Sequence, residues 1–83
     1  MWFHRAAEQG FAKAQHNLGA LYGNGQGVAK DFVQAYKWLS LAQQRGYKDS
    51  QKGLDWLTPQ MTPEQIAEAQ RLAKEWASAH SGH

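Results

Sequence analysis

A chain of 83 residues has room for one domain, and a domain of that size buries only about 60% of its unfolded surface. Its 42% hydrophobic and 19% charged residues describe a folding sequence, and ten aromatic side chains, four Trp, three Tyr and three Phe, are available to fill a core. The net charge of +2, spread without any run of five like charges, argues against a nucleic-acid binder. The absence of Cys excludes disulfides, thiolate metal sites and a Cys nucleophile within this chain.

The first residues, Met1-Trp2-Phe3-His4-Arg5-Ala6-Ala7-Glu8, lack the apolar core of a secretory signal. A cytoplasmic location is therefore the default expectation, with an exported parent protein left open. No run of about 18 apolar residues is available to span a membrane. A helix is expected over 2–10, ending at Gly10. From Ala12 to Tyr22 the apolar residues Ala14, Leu18, Leu21 and Tyr22 follow the 3.6-residue period of a second helix. Gly23-Asn24-Gly25-Gln26-Gly27 is expected to end it, because three Gly in five residues carry a large entropic cost.

Asp31 is the expected N-cap of the next helix. That helix carries Phe32, Ala35, Tyr36, Trp38, Leu39 and Ala42 on one broad face, and Gly46 suits its left-handed C-terminal position. A shorter helix follows over Asp49 to Leu57, broken by Thr58-Pro59-Gln60-Met61. Thr62-Pro63-Glu64-Gln65 then combines a cap, a Pro at the first helical position and a capping box. The last helix has Ile66, Ala69, Ala73, Trp76 and Ala77 on its apolar stripe, and Glu68, Arg71 and Glu75 pair on its wet side. The tail from Ser78 to His83 is expected to fray.

A period of 36 runs through the first two thirds of the chain. It relates Trp2 to Trp38, Ala6 to Ala42, Gly10 to Gly46, Phe11 to Tyr47, Gln15 to Gln51, Leu18 to Leu54 and Leu21 to Leu57. The register stops after Leu57. With no alternating strand pattern anywhere, the chain reads as all-α, a piece of a helical solenoid whose units bury their apolar faces by stacking.

The stretch Ala14-Gln15-x-x-Leu18-Gly19-x-x-Tyr22-x-x-Gly25-x-Gly27-Val28-x-x-Asp31-x-x-x-Ala35-x-x-Trp38-x-x-x-Ala42-x-x-x-Gly46 resembles a Sel1-like repeat. On this resemblance 2–10 is the second helix of a partial repeat, 11–46 one full repeat and 47–57 a degenerate half repeat. The segment 62–79 looks like the capping helix that ends many bacterial members. The resemblance implies an α-α superhelix related to tetratricopeptide repeats, and a non-catalytic adaptor or scaffold that holds a protein or peptide on its concave face. Small residues Ala14, Gly19, Ala35 and Ala42 then admit close helix approach, and Tyr22 and Trp38 fill the space between helices. Asp55 stands where Gly19 stood one repeat earlier, and no second Gly-rich loop follows.

Trp2, Trp38 and Trp76 read as core. Trp56 is the counterpart of Ala20, a groove position by resemblance, and the competing expectation is that Trp56 packs under the final helix. The expected groove lining is Lys13, His16, Ala20 and Asn24 from one repeat, with Asp49, Lys52 and Trp56 from the next. The helix over 2–10 lacks its partner helix, so a second copy or the rest of a longer solenoid is expected to cover it. A self-assembling fragment is the alternative function.

Catalytic patterns are missing. Gly23-x-Gly25-x-Gly27 has the wrong spacing for a phosphate loop and follows a helix. His4, His16, His80 and His83 form no zinc motif. Glu64 and Glu68 share one helix and favour its N-terminus electrostatically. No Ser sits in a nucleophile elbow, and no Ser-x-x-Lys accompanies the resemblance to a family in which β-lactam hydrolysis has been described. No cofactor, metal or catalytic residue is expected; a hydrolase is the weakest alternative.

Overall fold

The described residues form four helices and one 3-10 turn, with ends set by left-handed glycines, side-chain caps and a proline. The computed structural model describes residues 11–25 and 30–80. The expectations for Trp2, His4, Ala6, Gly10 and the helix over 2–10, and those for Gly27, Val28 and His83, fall outside these residues.

Helix α1 spans Ala12–Asn24. It runs two residues further than the Gly pattern predicts, because Gly23 remains helical and buried and only Gly25 turns left-handed, at φ 71°. The Gly25 amide donates to the Leu21 carbonyl at 2.8 Å, satisfying one of the acceptors that a helix end leaves free. Helix α2 spans Phe32–Gln44, and the Asp31 carboxylate caps it by accepting from the Gln34 amide at 3.1 Å. At its other end Gly46 takes φ 91°. There the Tyr47 amide reaches the Ala42 carbonyl at 3.1 Å and the Gly46 amide reaches that of Gln43 at 2.9 Å, a Schellman closure.

Helix α3 spans Asp49–Leu57 and passes into a 3-10 turn, Thr58–Gln60. Pro59 has no N–H to continue the helical ladder. Two side chains supply donors instead, Thr58 Oγ1 to the Leu54 carbonyl and Gln60 Nε2 to that of Trp56. Helix α4 spans Pro63–His80. Its capping box is complete, with the Gln65 amide donating to Thr62 Oγ1 at 3.1 Å and the Thr62 amide donating to Gln65 Oε1 at 2.9 Å. The expected fraying from Ser78 does not occur as far as His80; Trp76 is buried one turn earlier and Ala77 packs on the core, which anchors this last turn.

Cross-helix contacts set the arrangement. Gly19 faces Leu39 and Gly23 faces Ala35, so α1 and α2 run antiparallel. Leu39 also faces Gly53, while Gln43 bonds Gln51, so α2 and α3 are antiparallel as well. His16 contacts Ser50 and Gly23 adjoins Trp56, which makes α1 and α3 parallel neighbours. Tyr36 meets Gln70, and Trp38 meets Trp76, so α4 lies alongside α2 in the same sense.

The core divides into two clusters on either side of α2. Ala14, Leu18, Trp38, Leu41, Ala73 and Trp76 form one, in which the Trp38 and Trp76 rings meet edge-on at 5.7 Å. Ala35, Leu39, Leu54, Leu57, Met61 and Ala69 form the other. Tyr22 packs on both. Trp38, at 1% exposure, and the fully buried Ala35 and Ala42 occupy the positions the repeat pattern assigns to packing. Outside the core, Arg71 bridges Glu68 and Glu75 on the wet face of α4. The hydrogen bonds that Arg71 donates to Glu68 and then to Glu75 hold its guanidinium pKa above the ordinary value.

Candidate partner-binding groove

The parallel pair α1 and α3 leaves a groove of about 350 Å³ above α2. Two glycines, Gly19 and Gly53, set its close approaches, and a third, Gly23, lies beside them. A Cβ on Gly19 would stand 2.8 Å from Leu39 Cγ and 3.0 Å from the Ala35 carbonyl oxygen. One on Gly53 would stand 3.0 Å from Leu39 Cδ1, and one on Gly23 would reach 3.6 Å from both Ala35 and the Trp56 ring. Without these side chains both outer helices settle onto α2, and Leu39 and Ala35 become the groove floor.

Six of the seven residues expected in the lining do line it: His16, Ala20 and Asn24 from α1, and Asp49, Lys52 and Trp56 from α3. Lys13 does not. It is exposed on α1 one turn before His16, beyond the end of the cavity. Sequence reasoning missed the floor, namely Gly19, Gly23, Ala35, Leu39, Gly53 and Leu57. The available signal was the placement of Gly19 and Gly53 inside helical patterns. An interior Gly costs about 1 kcal/mol relative to Ala, which a close approach of neighbouring helices offsets.

Trp56 is the exposed large hydrophobic side chain of the groove, at 52%. It packs under no helix. Its ring meets Phe32 edge-on at 6.5 Å, and Lys30 Nζ lies 5.0 Å from the centre of the Phe32 ring. Lys52, Asp49 and Asn24 make no ion pair or hydrogen bond among the described residues, so their polar groups are available to a ligand.

At the other end His16 closes the groove. Its Nδ1 shares a 2.9 Å hydrogen bond with Ser50 Oγ, and its ring lies 4.8 Å from that of Tyr47. Ser50 is fully buried, so this contact ties α1 to α3 and presents no hydroxyl at the surface. Among the described residues no helix is long and apolar enough to cross a membrane.

The sequence matches the family model for the Sel1 repeat over residues 1–11 and 12–47. It is also 38% identical over 55 residues to chitin synthase regulatory factor 3 of Schizosaccharomyces pombe. That alignment covers 66% of this chain but 6% of the yeast protein, so the chain corresponds to a small part of it. Sel1 repeats generally mediate protein–protein interaction. The chain belongs to the Sel1-repeat family.

Proposed function

We propose that this chain is a non-catalytic interaction module that grips a segment of a partner protein in the groove between α1 and α3. The observation that carries the reading is Trp56. A large aromatic side chain left half in water costs the free protein hydrophobic energy that a partner can recover, at roughly 25 cal/mol per Å² of apolar area covered. It stands over an apolar floor and beside polar groups with no internal partner, the composition of a binding hot spot. Membership of a family of interaction repeats supports the same reading, as does a relative described as a regulatory factor.

Capture of partners from the lysate of the source cell, with a Trp56→Ala, Lys52→Glu double variant as control, tests it. A protein retained by the wild type and lost from the folded variant is the expected result. Equal retention by both removes the groove from the account. Recovery of this chain alone favours self-assembly.

A further inference from the structure

The charges round the groove are unequal, and they bear on what it selects. Residues 11–57 carry six Lys or Arg and three Asp. Two of those Asp are engaged, Asp31 as the cap of α2 and Asp55 as acceptor from Gln51 Nε2 at 2.9 Å. Among the described residues, Asp49 is the only acidic side chain lining the groove. Lys52 has no internal partner among the described residues, and Lys30 lies by Phe32, the ring partner of Trp56. The exposed apolar anchor of the groove therefore shares its helix with a groove-lining cation one turn earlier, and its ring partner Phe32 lies beside a second cation.

Resting on the groove reading above, we infer that the groove selects an extended segment in which a bulky apolar residue and a carboxylate stand two positions apart. The apolar side chain seats on Trp56 and Leu39, and the carboxylate pairs with Lys52. The spacing follows from geometry. Lys52 and Trp56 are four residues apart on α3, about 6 Å along the helix axis at roughly 1.5 Å per residue. In an extended chain, residues two apart point to the same side and are separated by about 6.6 Å. A segment lying along α3 thus meets both side chains in register.

An extended segment fits better than a helix. α1 and α3 touch through His16 and Ser50 at one end, and Gly23 adjoins Trp56 at the other. With the two helices in contact at both ends and about 350 Å³ between them, the groove is too small to take in a helix of roughly 10–12 Å diameter. Asp49, one turn before Lys52, sets the polarity. A second acidic residue is repelled on that side and tolerated on the Lys30 side.

A phage-displayed library of random decapeptides, selected separately on the full chain and on its Trp56→Ala and Lys52→Glu variants, tests the inference. Circular dichroism establishes that each variant is folded. The wild type is expected to enrich an aliphatic or aromatic residue with Asp or Glu two positions away, and Lys52→Glu to replace that acid with Lys or Arg. A synthetic selected peptide with its acid changed to the amide is expected to bind the wild type about three- to tenfold more weakly. Apolar anchors with no acid preference, or the same acid preference on Lys52→Glu, overturn the inference while binding lost in Trp56→Ala leaves the groove reading standing. An apolar–acid spacing of four instead of two indicates a helical ligand and also overturns it. Peptides that bind Trp56→Ala as well as wild type, or no enrichment at all, refute the groove reading and this inference with it.

Discussion

Replacing Gly19 and Gly53 by Ala, one at a time, separates the two kinds of helix contact beneath the groove. Each substitution gains about 1 kcal/mol in helix propensity. The new methyl meets different obstacles. At Gly19 it stands 2.8 Å from Leu39 Cγ, 3.0 Å from the Ala35 carbonyl oxygen and 3.1 Å from the Leu39 amide nitrogen, so two of its three neighbours are backbone of a packed helix. Relieving that contact requires α1 and α2 to move apart, an overpacking cost of about 1–3 kcal/mol, with further loss where the core clusters open. At Gly53 the near atoms are Leu39 Cδ1 at 3.0 Å and Cδ2 at 3.3 Å, the ends of one side chain that turns about χ2. Gly19→Ala is therefore expected to destabilise the chain by about 1–2 kcal/mol net, and Gly53→Ala to lie within about 0.5 kcal/mol of wild type. In a domain of this size 1 kcal/mol moves Tm by about 4–8 °C. Thermal melts followed by circular dichroism at 222 nm check the pair. A Gly19→Ala variant as stable as Gly53→Ala would refute the argument that α1 and α2 are held at backbone contact.

Other substitutions test the remaining elements. Asp31→Ala removes the cap of α2 and is expected to cost about 1 kcal/mol, with Asp31→Asn retaining most of the stability; urea denaturation at equal slope reads both. Trp38→Ala is expected to cost about 3–5 kcal/mol, a large part of the stability available to so small a domain, and to leave a chain with a much reduced or absent unfolding transition. Trp56→Ala is expected to leave Tm within a few degrees of wild type, since half of that side chain already faces water. A loss as large as that of Trp38→Ala would make Trp56 a core residue.

Caps and core faces were legible in the sequence because each has a local cause. Asp31 before Phe32, Thr62 three residues before Gln65, and Gly46 after the last apolar turn of α2 all act within one turn of their own position. The groove lining was expected from the family resemblance, which assigns Ala20 to the groove, and the 36-residue register carries Ala20 onto Trp56 on a parallel helix. Lys13 was misplaced because the groove is shorter than the helix face; His16 and Ser50 close it before that turn. Gly23 was misread because a cluster of glycines signals an ending without saying which glycine ends the helix. That depends on the packing of Gly23 against the Ala35 side chain and the ring of Trp56, both distant in sequence. Gly19 was legible as a close-approach position through the resemblance; Gly53 signalled a close approach by standing inside a helical pattern, but nothing near it in the chain announces that Leu39 is the neighbour.

The central claim is that partners are held between α1 and α3. Proton–nitrogen correlation spectra of the labelled chain, recorded with and without a captured or selected ligand, test it most directly. The account predicts that the Trp56 indole N–H and the amides of Gly19, Gly23 and Gly53 shift, while the indoles of the buried Trp38 and Trp76 stay in place. Shifts confined instead to the surface where Tyr36, Ser40 and Gln44 of α2 meet Gln70 and Lys74 of α4, with the Trp56 indole unmoved, would contradict it.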